Sequence, residues 1–175
     1  MELYLMIVGE KINLCTVLRL DLPEYFKMIN DIQLKDSFSP IRFTSQMSVE
    51  KQFNKDGFLN DRFMVFLIKN KQNITVGSIN IRKWHPILDS FEIGFIVKSE
   101  HRGKGFASES VALATDYLFK SNPVNLMIAL THSNNIAAQQ VLKKSNYKKL
   151  ALLPESCYCQ GKFVDYIMFG LIRDK

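Results

Sequence analysis

Residues 91–120 contain the segment that most restricts how this chain can fold. Phe91 to Val97 alternates like a strand, Ser108 to Lys120 has helical spacing, and Arg102-Gly103-Lys104-Gly105-Phe106-Ala107 lies between them. A strand running into a helix through a glycine turn leaves unpaired N–H groups and the positive end of the helix dipole at one place. Two cationic side chains, Arg102 and Lys104, add to that charge, so the segment predicts an anion site suited to a pyrophosphate.

The rest of the chain reads as strands with few crossovers. Ile12 to Leu18 is a strand that leads into a helix from Pro23 to Asp31, with Asp21 marking its start and Tyr25, Phe26 and Ile29 on its apolar face. Ser37 to Pro40 breaks the chain, a second helix begins at a Ser48 cap and runs to Phe53, and Asn54 to Asp61 is read as loop. Phe63 to Lys69 and Ile74 to Arg82 form a hairpin around Asn70-Lys71-Gln72-Asn73. In the third strand Phe91, Ile93, Phe95 and Val97 share one face and Glu92, Gly94 and Ile96 the other.

Val111, Ala114 and Leu118 line one stripe of the following helix, which exits at Asn122-Pro123. Asn125 to Thr131 is a strand, His132 to Asn135 a turn, and Ile136 to Lys144 a helix that buries Ile136, Ala137, Val141 and Leu142. Pro154 to Gln160 is irregular, and Lys162 to Leu171 closes the chain as a strand with Phe163, Asp165, Ile167 and Phe169 on one face. This order predicts an α+β domain around a mixed, mostly antiparallel sheet flanked by helices in three layers. The ligand is expected at the crossover between residues 102 and 118.

Length and composition narrow the class. A chain of 175 residues, 47% hydrophobic, suits a single domain spanning 1–175. A net charge of +6 without a basic block favours anionic partners such as a nucleotide-like cofactor, and no aromatic-basic motif marks a nucleic-acid binder. Cys15, Cys157 and Cys159 cannot all pair, so a reducing cytoplasm is expected. His85, His101 and His132 lack ligand spacing, and no metal is expected. Glu2, Glu10 and Lys11 interrupt the apolar start, so neither an export signal nor a membrane span is read.

The turn is not a Walker A loop, because it lacks the four-residue gap before Gly-Lys-Ser/Thr. Arg102-x-x-Gly105-x-Ala107 resembles the acetyl-CoA pyrophosphate loop of the GCN5-related N-acetyltransferases (GNAT). Glu92-Ile93-Gly94-Phe95 before it and Glu109 after it resemble the RimJ/RimL-type branch that acetylates ribosomal-protein N-termini. So do the opening residues Gly9, Leu14, Leu18-Arg19, Asp21-Leu22-Pro23 and Asn30-Asp31. Asn135-Ile136-Ala137-Ala138, Val141-Leu142 and Asn146-Tyr147 are similar to the family's downstream segment.

The resemblance implies a GNAT fold, acetyl-CoA as co-substrate and transfer of its acetyl group to a primary amine. Gly103, Lys104, Gly105, Phe106, Ala107 and Ser108, with Arg102, would hold the pyrophosphate, and Phe95, Ile96 and Val97 the pantetheine arm through backbone groups. Gly94 would sit at a bulge there, and Asn135 would lie near the arm or cap its helix. Glu92 is the candidate base. Leu142 stands where many relatives have a tyrosine acid, Tyr147 is read as core, and Ser133 and Ser145 have no strong support, so no acid is assigned. Lys143, Lys144, Lys148 and Lys149 are read as a solvated surface.

The acceptor side falls to residues 37–62 and 83–90. A protein N-terminal amine is the favoured acceptor, with a polyamine or aminoglycoside-like amine as the alternative. A CoA-binding sensor without catalysis is the competing class. Monomer and homodimer both remain open.

Overall fold

The computed structural model describes residues 6–35, 38–84 and 89–174. Ser37, His85 and Glu2 fall outside them, as does part of the expected acceptor segment. Nine strands are present among the described residues: β1 (Met6–Val8), β2 (Ile12–Thr16), β3 (Leu59–Asn60), β4 (Phe63–Asn70), β5 (Thr75–Lys83), β6 (Ser90–Val97), β7 (Leu126–His132), β8 (Lys148–Cys159) and β9 (Lys162–Ile172). The helices are α1 (Leu22–Asn30), α2 (Ile32–Lys35), α3 (Gln46–Asp56), α4 (Phe106–Ser121) and α5 (Ile136–Lys144). The sheet runs β1-β2-β4-β5-β6-β7-β9-β8, with β3 paired beside β4. Only β6 and β7 pair in parallel, joined by the α4 crossover, so the mixed and mostly antiparallel sheet stands as expected.

Strand β4 shows why its run of apolar residues need not alternate with polar ones. Met64, Phe66 and Ile68 face the layer that holds Val111, Ala114 and Leu118 of α4 and Leu142 of α5. Val65 and Leu67 face the opposite layer, with Leu22, Tyr25 and Met28 of α1, Leu34 of α2 and Val49 of α3. Both faces are covered, so both must be apolar. The α4 stripe is fully buried, and the Val111 and Leu118 side chains each add roughly 1.5–3 kcal/mol.

The hairpin turn works through Asn70, whose Oδ1 accepts from the N–H groups of Gln72 (3.0 Å) and Ile74 (2.9 Å). Asp21 behaves differently from a helix cap. Its side chain is buried, accepts from Leu18 N at 2.9 Å and pairs with the equally buried Lys69 at 3.1 Å. That ion pair ties the start of α1 to the middle of the sheet.

Several local readings need correction. Strand β1 was not expected; it pairs with β2 through Met6↔Cys15 to Val8↔Asn13. Ser45, not Ser48, caps α3, accepting from Ser48 N at 3.2 Å. That helix continues past Phe53 to Asp56 and stops where Gly57 turns left-handed (φ 63°), so of the expected loop only residues 57, 58 and 61 are turn, the rest being helix end and β3. On α1, Met28 and Leu22 are buried, whereas Phe26 and Ile29 only flank the core.

Residues 154–159 belong to β8, an edge strand with register shifts on both sides of residues 151–153. An edge strand tolerates Pro154 because its N–H side need not pair, and the bulge leaves Glu155 at φ 45°. The β8–β9 turn places Gln160 (φ 49°) and Gly161 (φ 88°) as a type I′ hairpin requires. Ile136 and Ala137 are exposed on α5, which buries Leu142 as expected and half-buries Val141, and Phe163 on β9 is exposed while Val164, Ile167 and Phe169 are buried. No helix among the described residues is long and apolar enough to cross a membrane.

Candidate functional site

β6 and β7 pair only from Ser90↔Leu126 to Glu92↔Ile128. Beyond that point each strand stays with its other neighbour, β6 with β5 through Val97↔Gly77 and β7 with β9 through His132↔Tyr166. The sheet is therefore open between them. Trp84 N bonds to Ser90 O and Lys98 N to Val76 O, so the even-numbered residues of β6 are those bonded towards β5. The main-chain groups of Ile93, Phe95 and Val97 consequently face the opening, and those of Ile96 do not. Arg102 Nε already occupies Val97 O at 3.1 Å, leaving the Phe95 backbone as the central free edge.

Gly94 makes no bulge, contrary to expectation: the β5–β6 register is continuous past it. A Cβ there would lie 2.9 Å from Oδ1 of Asn80, its partner across the strands.

At the end of the opening, one helical turn (Ser99–His101) leads into the glycine turn. Gly103 (φ 77°) and Gly105 (φ 84°) are both left-handed, a conformation other residues enter at a cost, and Gly105 is the N-cap of α4. Glu109 N is the first amide of the helix to find an acceptor, Gly105 O at 3.1 Å. The N–H groups of Phe106, Ala107 and Ser108 thus project from the positive end of a 16-residue helix. Lys104 is exposed and donates to Glu100 O at 3.2 Å.

Arg102 departs from its expected role. Its guanidinium donates to the carbonyls of Val97 (3.1 Å) and Leu34 (2.9 Å), fastening α2 to the end of β6. Its backbone N–H is also taken, by Ser99 O at 3.2 Å. The cationic side chain of the motif is a brace here.

Glu92 lies on the face opposite Phe91 and Ile93, with its side chain 13% exposed. Arg82, its cross-strand partner, donates from Nε (2.9 Å) and from a terminal nitrogen (2.7 Å) to the single oxygen Oε2. Among the described residues Oε1 takes no hydrogen bond. Oε2 thus carries the whole contact with Arg82, while Oε1 stays open towards an incoming group.

Asn135 caps α5, accepting from Ala138 N at 3.0 Å. Leu142 is 1% exposed within the core and has no proton to give. Ser145 is buried and donates to the carbonyls of Ser108 (3.2 Å) and Val141 (3.0 Å). Tyr147 is core as expected, with its hydroxyl 2.8 Å from Thr115 Oγ1 and burial pushing its pKa up to about 12. Lys143, Lys144, Lys148 and Lys149 are all exposed.

His132 was read as part of a polar turn, yet it ends β7 and is buried. Its Nδ1 accepts from Asn134 N at 2.9 Å, and its ring packs against Phe38 and Tyr166. Tyr166 donates to Phe38 O at 3.2 Å, and burial, then the Cys157 thiol, raises its pKa. Ile128, Leu130 and His132 alternate onto the face that carries Glu92, and that alternation was the available signal. Phe38 thereby joins the 37–62 segment to the open end of β7. His101 stands apart on the turn after β6, and no cluster of metal-ligating side chains occurs among the described residues.

An open strand edge beside a glycine-capped helix start is an arrangement for an extended, phosphate-bearing ligand. The model of the acetyltransferase (GNAT) domain matches residues 12–148. The chain belongs to that family and is an acetyl-CoA-dependent N-acetyltransferase. A relative described as uncharacterized N-acetyltransferase p20, from Bacillus licheniformis, is 27% identical over 154 residues, covering 86% of this chain and 82% of its own. The spermidine N-acetyltransferase of Vibrio cholerae, solved with CoA and spermine, superposes with a TM-score of 0.83 at 20% identity, covering 94% of this chain and 96% of that one. The ribosomal-protein-S5-alanine acetyltransferase of Vibrio fischeri gives 0.79 at 18% identity, with 97% of each chain covered.

Proposed function

We propose that this enzyme acetylates a protein N-terminal amine by direct attack within a ternary complex, as a RimJ/RimL-type member of its family. The carrying observation is the open β6 edge at Phe95, which runs towards the free N–H groups at the start of α4. In this reading the pantetheine arm lies along Phe95 to Val97 and the pyrophosphate rests on residues 103–108. Glu92, through Oε1 and directly or by way of water, takes the proton that the amine loses as its nitrogen bonds to the acetyl carbon and the C–S bond breaks. The departing thiolate is protonated by solvent, since Leu142, Tyr147 and Ser145 are all committed to the core.

The acceptor reading is supported by charge. Glu92 is already neutralised by Arg82, and Glu24, beside the end of β6, is paired with Lys98 at 2.6 Å. A polyamine would need carboxylates not already paired. The buried His132 with the half-buried Phe38 and Tyr166 offers instead an aromatic wall suited to the first side chains of a peptide. We also infer one domain spanning the chain, working in the cytoplasm, where Cys15, Cys157 and Cys159 stay as the free thiols they are here.

The test is a mass-shift screen with acetyl-CoA over peptides that differ at the first two residues, alongside spermidine and aminoglycosides. Acetylation of peptide α-amines is the expected result. Turnover confined to polyamines or aminoglycosides overturns the acceptor assignment, and binding of acetyl-CoA without turnover of any amine makes the chain a sensor.

A further inference from the structure

The turn between β1 and β2 lies against the start of α4 in a way the loop motif does not foretell. Lys11 N donates to both oxygens of Glu109, at 2.9 and 3.2 Å, and Glu109 belongs to the first turn of α4. The approach is close enough that a Cβ on Gly9 would lie 2.3 Å from Glu109 Oε1 and 2.6 Å from Leu113. Lys71 holds the turn from its other side, donating to Asn13 Oδ1 at 2.8 Å and to Gly9 O.

This clamp fixes where the Lys11 side chain starts, and the side chain reaches over the glycine turn. A Cβ built on Gly105 would lie 3.5 Å from Lys11 Nζ. Among the described residues that ammonium has no hydrogen bond or ion pair of its own. Its position is electrostatically unfavourable in the free protein, because a cation sits at the positive end of a helix dipole. An anion placed between Nζ and the free N–H groups of α4 would reverse the sign of both interactions. Glu109 makes no ion pair with the ammonium; both its oxygens face the backbone N–H of Lys11.

We propose that Lys11 is a ligand of the acetyl-CoA pyrophosphate, delivered from the β1–β2 turn and doing the work that the motif's Arg102 side chain does not. This inference rests on the acetyl-CoA site assigned above. It makes the N-terminal hairpin part of the cofactor site, with Glu109 as the residue that positions it.

The experiment measures dissociation constants of acetyl-CoA and of its 3′-dephospho analogue for the wild type, Lys11→Met, Lys11→Arg and Gly105→Leu, with thermal melts as a folding control. Lys11→Met should weaken both ligands alike, by about five- to tenfold, and Lys11→Arg should bind close to wild type. The deficit should shrink in about 0.5 M salt, as an exposed charge contact requires. Wild-type affinity in Lys11→Met overturns the proposal, as does a loss confined to the 3′-phosphorylated ligand or one unchanged by salt. If Gly105→Leu also binds normally, the cofactor site itself is misassigned; if only Gly105→Leu fails to bind, the Lys11 inference alone falls.

Discussion

Gly105→Leu separates the two demands that the glycine turn places on one residue. Gly105 sits at φ 84°, where any side chain strains the backbone by about 1–2 kcal/mol. For a chain of this size that strain lowers the melting temperature by roughly 2–8 °C. The second effect is on binding, because the new side chain would occupy the space between Lys11 and the start of α4, where its Cβ meets nothing closer than Nζ at 3.5 Å. Losing two amide bonds to a charged phosphate, at about 1.5–3 kcal/mol each, weakens acetyl-CoA by at least about a hundredfold. Gly57→Leu is the matched control: Gly57 is left-handed too (φ 63°), has open space around its Cβ, and ends α3 on the other layer. Calorimetric titration and thermal melts on both variants should show similar melting shifts and loss of binding in Gly105→Leu alone. Affinity within about twofold of wild type in Gly105→Leu, or equal loss in both variants, would refute the reasoning.

Two further outcomes are expected. Glu92→Gln should lower kcat by roughly 10²–10³ with acetyl-CoA affinity unchanged, and steady-state rates over the acceptor panel that match wild type would remove Glu92 as the base. Tyr147→Phe should leave kcat intact while lowering stability by roughly 1 kcal/mol, since it unpairs Thr115; a kcat loss of tenfold or more would show the phenol taking part in proton transfer. The same burial predicts an alkaline transition: Tyr147 and Tyr25 ionise near 10 when unfolded and at about 12 when folded. Their neutral forms favour the fold fully below pH 10, and that contribution falls as pH rises from 10 to 12, which denaturant melts across this range would detect.

The family and the loop were legible because both are carried by local order. A strand, a glycine turn and a helix stripe at Val111, Ala114 and Leu118 lie within thirty consecutive residues, and their periodicities survive in the sequence. The hairpin around Asn70 and the cap at Asn135 were readable for the same reason, as short-range hydrogen bonds of known spacing. Strand β8 was not, because Pro154 and two register shifts hide a strand whose pairing is set by β9.

What the chain determined by itself was the α+β order, the acetyl-CoA-type turn and the residues able to carry the chemistry. Tertiary structure decided which of them do what. Arg102 is spent on carbonyls of β6 and α2, which only the folded chain brings within 3.1 Å of its guanidinium. Glu92 acquires Arg82 across the strands, and Lys11, 98 positions away from Glu109 in sequence, arrives at the loop because two elements must pack without a side chain at Gly9. Local spacing encodes backbone geometry, whereas the partner of a charge depends on which distant segments the core draws together.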